Sequence, residues 1–225
     1  AARPLMGAAA LAVALGALAF AMQTGRSALG PVGMALGAWL VLGAMTDLWL
    51  RAGRTPARLA RLPRSDWGKA AAHAGLGIVI IGVSGVMAWT VEDIRTVKVG
   101  ESFPLGQYEV TLDGVENGRG PNYSTRMATM TVREAGAVVA VLHPEKRFYP
   151  VQSMPTTEAA IQQGLFRDIY LTLGDHQDDG GWAVRSYVKP FTNWIWAGAL
   201  LMGFGGLLSL SDRRLRIGAA ARRVP

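Results

Sequence analysis

The chain has 225 residues, of which 50% are hydrophobic and only 17% charged, and its mean hydropathy is +0.22. Soluble domains carry about 25% charged residues, so this balance weighs against an ordinary soluble enzyme, and so much apolar surface excludes a disordered chain. The absence of Cys excludes disulfides, a thiolate nucleophile and a thiolate metal site, while the net charge of +7 and pI near 10.2 raise nucleic-acid binding, which the placement of the charges must decide.

Crossing a bilayer takes about 20 consecutive apolar residues. The first such run is Pro4–Met22. It follows Arg3, as a signal peptide would, but it exceeds the ~7–15 residues of an h-region and no clear A-x-A site follows, so it is read as a helix that stays. The second run, Leu29–Leu50, carries Asp47 near its end. Residues 1–50 therefore form two spans. Residues 51–69 form a basic loop with Arg51, Arg54, Arg58, Arg61, Arg64 and Lys69. The third run, Ala70–Thr90, contains His73, and the fourth is Asn193–Leu210, within a last span at 192–211. All four are rich in Gly and Ala, which let helices approach closely in lipid. The tail, 212–225, holds Arg213, Arg214, Arg216, Arg222 and Arg223.

Lys and Arg collect on the cytoplasmic side of membrane proteins. The two basic segments agree with each other. They place both termini inside and the long segment 91–191 outside, with only Arg26 in the short outer turn. Residues 91–190 hold ten basic and thirteen acidic side chains, net −3, whereas the remainder is net +10. The positive charge therefore flanks membrane helices, where it meets anionic lipid, and nucleic acid is not an expected partner.

The outer segment reads as β structure. Apolar and polar residues alternate over Gln107–Val115, Thr125–Val132, Val138–Leu142, Asp168–Leu173 and Trp182–Val188. Turn residues at Glu116–Asn122 and Gly174–Gly181 separate these runs. A short helix is predicted over Thr156–Gln163, with a Thr cap. The expected fold is an integral membrane α-helical bundle of four spans with an inserted small all-β domain, a sandwich or an OB-like barrel.

Few residues carry chemistry. His73 lies inside the third span among Ala70, Ala71, Ala72, Ala74, Gly75 and Gly77. A titratable group in a lipid-embedded helix is a functional candidate by default. Small neighbours leave room for a flat macrocycle, and neutral imidazole ligates iron well. A histidine hydrogen-bonded to a neighbouring helix or to Asp47 fits the same spacing. His143 reads as a surface residue. His176 lies in a Gly174–Gly180 loop that reads as a solvated turn rather than a cation site. Lys146-Arg147-Phe148-Tyr149 offers cations beside aromatics, suited to an anionic group or to strand-edge packing. No nucleophile elbow, P-loop or H-E-x-x-H motif occurs.

Several blocks, in order, carry a family resemblance. They are Ser65-Asp66-Trp67-Gly68 through Ala72-His73-Ala74-Gly75, Glu145–Tyr149, Thr156–Ile161 and Arg167–Tyr170. Trp182–Arg185, Lys189-Pro190-Phe191 with Trp194–Gly198, and Gly205-Gly206-Leu207 continue the series. Across roughly residues 29–214 the chain resembles the C-terminal part of the cytochrome c haem lyase family CcmF, to which the NrfE-type proteins are related. The resemblance implies a bacterial inner-membrane protein with a periplasmic β domain. It implies transfer of haem from the chaperone CcmE to the Cys-x-x-Cys-His thiols of apocytochrome c, alongside the thiol-presenting subunit CcmH. It also implies a resident b-type haem (haem b) held between two membrane histidines, the second falling on His73 as axial ligand of the haem iron. The family's tryptophan-rich haem-handling segment, its periplasmic histidines and its first membrane histidine are not found in these 225 residues. The chain is accordingly expected to act with the N-terminal remainder of CcmF, as part of a lyase rather than a complete one. A non-enzymatic membrane-anchored scaffold is the alternative; transport has only Asp47 and His73 in its favour.

Overall fold

The computed structural model describes residues 2–25 and 27–212, and the chain forms two compact units. Arg26 and the tail arginines Arg213, Arg214, Arg216, Arg222 and Arg223 lie outside the described residues.

The first unit holds helices α1 (Ala2–Met22), α2 (Leu29–Arg51), a single turn α3 (Pro56–Leu59), α4 (Arg64–Trp89) and α5 (Thr192–Leu210). Four of these, all but α3, are long and apolar enough to cross a membrane. Their large apolar side chains point outward: Leu11, Val13 and Phe20 on α1, and Leu200, Phe204 and Leu207 on α5, are all exposed. That pattern suits lipid. Helix α4 starts six residues before the apolar run read from the sequence, because Arg64–Lys69 continues its polar end. The buried Asp212 carboxylate, just after α5, accepts the Ser65 N–H at 3.0 Å and so serves one of the open donors of that end.

Glycine sets the packing. Lipid offers helices no hydrophobic drive to associate, so contact depends on close van der Waals approach. On α4, Gly68, Gly75 and Gly82 recur every seven residues and face α5. A Cβ added at Gly75 would lie 2.6 Å from the Gly198 carbonyl oxygen, and one at Gly68 would lie 2.6 Å from that of Gly205. The other flank of α4 meets α2, where Gly77 and Gly37 approach each other's carbonyls equally closely. Gly16 on α1 sits against Ala35 and Pro31 of α2. The turn after α1 donates the Thr24 and Gly25 N–H groups to the Ala88 carbonyl at 3.1 and 3.0 Å.

The second unit is a two-sheet sandwich, which decides between the two architectures the sequence leaves open. One sheet has the order β1 (Val91–Val97), β10 (Trp182–Pro190), β9 (Arg167–His176), β8 (Ala160–Gln162). The other runs β2 (Ser102–Leu105), β3 (Tyr108–Arg119), β4 (Ser124–Glu134), β6 (Glu145–Tyr149), β7 (Met154–Glu158), with β5 (Ala137–Leu142) also on β4. All pairings are antiparallel. The core lies between the sheets and is apolar: Phe103, Leu105, Val110, Leu112, Met130 and Val132 meet Leu171, Leu173 and Val184.

The helix predicted over Thr156–Gln163 is not formed. That stretch is strands β7 and β8, interrupted at Ala159, where the chain passes from one sheet to the other. Thr156 pairs with Arg147 and Ile161 with Tyr170. Eight residues make a marginal helix, and β-branched Thr156, Thr157 and Ile161 fit a pleated surface better. The turn predicted over Glu116–Asn122 is also shorter, because β3 continues through Asn117-Gly118-Arg119.

These contacts make Gly75→Val a severe change. Its branched side chain meets backbone that cannot move aside, and overpacking of this kind costs about 1–3 kcal/mol or more. Gly43→Ala, with open space around it, serves as the control. Thermal unfolding of the purified chain in detergent should show a lowered transition for Gly75→Val and one no lower than the parent's for Gly43→Ala.

Candidate functional site

His73 sits on α4 one turn after Lys69, on the flank facing α2, and its residue surface is exposed. Its Nδ1 lies 2.8 Å from the Lys69 carbonyl oxygen. A carbonyl only accepts, so Nδ1 carries the proton and donates. The neutral ring is then fixed in the tautomer whose lone pair is on Nε2, and no hydrogen bond reaches Nε2 among the described residues. A ring held this way at one nitrogen is prepared to ligate a metal with the other.

The alternative bond to Asp47 is not made. The Asp47 carboxylate instead accepts Lys69 Nζ at 2.6 Å and Arg51 Nε at 3.0 Å, and Arg51 Nη1 continues to Asp66 at 3.0 Å. The four charges neutralise one another at the polar ends of α2 and α4. Beside this ladder Gly43, Ala44, Asp47, Lys69, Ala70 and His73 line an open groove of about 220 Å³. Its floor of Gly43, Ala44 and Ala70 carries nothing larger than a methyl group, so a flat ring system can lie against it.

The other candidates are placed differently. His143 is exposed, with Nδ1 3.4 Å from the Thr129 hydroxyl. His176 is exposed and packs edge-on to Trp182 at 4.9 Å. In its loop, Asp175 accepts Lys146 Nζ at 2.6 Å and Asp179 accepts the Gly181 N–H at 2.9 Å. No group of three metal-ligating side chains occurs among the described residues. Lys146 and Arg147 lie on β6, which is paired on both sides rather than at an edge. Arg147 donates to Glu145 at 2.9 Å and stacks 4.6 Å above the Tyr123 ring. These cations brace the sandwich.

Sequence reasoning missed the ladder beside His73 and the heptad glycines that orient α4. Both were signalled: Asp47 and Arg51 are four residues apart, and Gly68, Gly75 and Gly82 seven.

Membrane-crossing helices interrupted by a two-sheet β-sandwich, with one histidine on the helical surface, define a helical membrane protein carrying an inserted extramembrane module. The family model described as the CcmF C-terminal beta-sandwich matches residues 88–190. The cytochrome c-type biogenesis protein ccl1 of Rhodobacter capsulatus is 59% identical over 99% of this chain and 34% of its own length. The cytochrome c-type biogenesis protein CycK of Rhizobium meliloti is 44% identical over 99% of this chain and 34% of its own length. A solved cytochrome c heme lyase CcmF superposes with a TM-score of 0.67 at 19% identity, covering 91% of this chain and 34% of that one, which supports the fold. The chain belongs to the CcmF family of cytochrome c-type biogenesis proteins, and it spans about a third of the length of the curated relatives it matches. The resemblance read from its sequence blocks is thereby borne out.

The Arg147 guanidinium, aided by the Thr125 hydroxyl and opposed by partial burial, holds the Glu145 carboxyl below the usual glutamate range. A lowered folded pKa stabilises above the unfolded value and is lost as pH falls through the folded one. Glu145→Gln should therefore cost on the order of 1 kcal/mol at pH 7. The gap from the parent should close as pH drops below about 4.3, read by thermal unfolding of the chain across that range.

Proposed function

We propose that this chain is the C-terminal portion of a haem lyase in cytochrome c maturation, and that His73 provides one axial ligand to a b-type haem in the membrane. The observation that carries the reading is the Nδ1–H bond from His73 to the Lys69 carbonyl, which leaves Nε2 for iron. A haem held there supplies reversible one-electron chemistry, which is what keeping an incoming haem iron reduced requires.

The residues present fit part of such a site. Gly43, Ala44 and Ala70 give a flat apolar floor, and the Asp47–Lys69 and Arg51–Asp66 pairs place polar groups at its end. Ligand pockets usually enclose about 300–1,000 Å³, and this groove is smaller and open. The opposing wall and second ligand are proposed to come from the N-terminal remainder of CcmF. The relatives' additional length is consistent with that division.

The β-sandwich is proposed to lie in the periplasm, and the Arg- and Lys-rich segment between α2 and α4 in the cytoplasm with both termini. The basic side chains Arg51, Arg54, Arg58, Arg61, Arg64 and Lys69 support that orientation in a bacterial inner membrane. The sandwich then offers docking surface to CcmE, CcmH and apocytochrome c. A second reading, a membrane-anchored scaffold without haem, draws support from the sandwich's self-contained apolar core.

Replacing His73 tests the choice. In the complete complex His73→Ala should remove at least half of the b-haem Soret absorbance and lower cytochrome c yield about tenfold. Added imidazole should restore part of the absorbance. Unchanged absorbance and yield would leave the scaffold reading.

A further inference from the structure

The sandwich is acidic as a whole, with ten basic and thirteen acidic side chains over residues 91–190. Several of its cations are neutralised locally: Arg95, Arg147, Arg167 and Arg185 each meet a carboxylate within 3.2 Å. Arg119 and Arg126 are exposed and form no ion pair among the described residues.

Strand register brings these two arginines together. Arg119 pairs with Ser124 and Asn117 with Arg126, so the arginines are diagonal neighbours on one face of the β3–β4 hairpin. Lys146 of β6 stands directly opposite Arg126 across β4. Like charges opposite each other on adjacent strands destabilise a sheet. One carboxylate answers the three cations: Asp175 of the facing sheet accepts Lys146 Nζ at 2.6 Å, and its own side chain is 74% exposed. A pair so open to water contributes little. The Arg126 guanidinium lies 5.5 Å from the centre of the Trp182 ring, which positions it without neutralising it.

Arg126 and Lys146 border a groove of about 420 Å³ that lies wholly within the sandwich. Beside them Phe148 and Pro155, paired across β6 and β7, form an apolar shelf, with Phe148 44% exposed. Asn117 and Ser124 add hydrogen-bonding side chains to the same groove. A small anion has no use for the shelf, and a nucleic acid is disfavoured by the net negative charge of the sandwich. A polypeptide in which carboxylates alternate with apolar side chains uses every part. Guanidinium forks take carboxylates in two parallel hydrogen bonds, and the shelf takes an apolar neighbour.

We propose that this groove binds an acidic segment of a partner protein. Arg119 and Arg126 hold its carboxylates, and Phe148 with Pro155 receives an apolar side chain. The inference adds a place and a chemistry to the docking role proposed for the sandwich, on which it rests, and it needs no haem at His73.

The probe is a short synthetic peptide of alternating Glu and Val, rhodamine-labelled and titrated with the purified full chain in neutral detergent. Fluorescence anisotropy should show it binding about tenfold more tightly than the same peptide with Gln for Glu, and more weakly as salt rises. Arg119→Gln combined with Arg126→Gln should weaken binding about tenfold. Lys at both positions, which keeps the charge without the fork, should recover part of the affinity. Arg133→Gln is the control: it lies seven residues along β4 from Arg126 and also lacks an ion pair, and binding should change less than about twofold. Equal binding of the Glu and Gln peptides would overturn the proposal. Displacement of the peptide by millimolar inorganic phosphate would overturn it too, assigning the cations to small anions. Tight binding unaffected by the Arg119 and Arg126 changes would overturn the groove while leaving the sandwich its docking role on another face.

Discussion

The helical unit depends on backbone meeting backbone. Where Gly75 faces Gly198 and Gly68 faces Gly205, carbonyl oxygens occupy the space a methyl group would fill. In lipid this proximity is the principal source of attraction, since apolar side chains gain little by leaving one hydrocarbon environment for another. It also fixes how α4 is rotated. With Gly68, Gly75 and Gly82 turned to α5, and Gly77, Ser84 and Ala88 turned to α2, position 73 falls on the outer edge of the α2 seam. The histidine's location thus follows from residues that never touch it.

That location shapes its chemistry. A ring at the seam has small neighbours on α2 and a carbonyl one turn earlier on its own helix, and it uses the carbonyl. The charges around it are matched before any ligand arrives, because Asp47 is shared between Lys69 and Arg51. The histidine is left as the polar group with one nitrogen open, the feature on which the proposed iron ligation rests.

The sandwich solves a separate problem, that of filling a small interior within about 100 residues while both ends of the chain are committed to membrane helices. Its sheets close over an apolar core, and chain entry and exit are neighbours because β1 and β10 are paired. Ser186 and Asp168 are buried with that core, while at the periphery Lys146 on one sheet reaches Asp175 on the other.

Much of this was legible in the residues. Hydropathy located all four spans, alternation located the β segment, and the blocks around Ser65–Gly75 and Lys189–Gly198 identified the family. These signals are local sums or short patterns, so they survive without knowledge of the fold. Thr156–Gln163 was misread as helix because its strands exist only through partners on β6 and β9, which local propensity does not see. The same limit applied at the site. Composition named His73 as the polar residue among small ones in the third span, but Asp47 and the Lys69 carbonyl both remained plausible partners for it. Choosing between them required the packing of α2 against α4, which gives Asp47 to Lys69 and Arg51 and leaves the imidazole to its own helix.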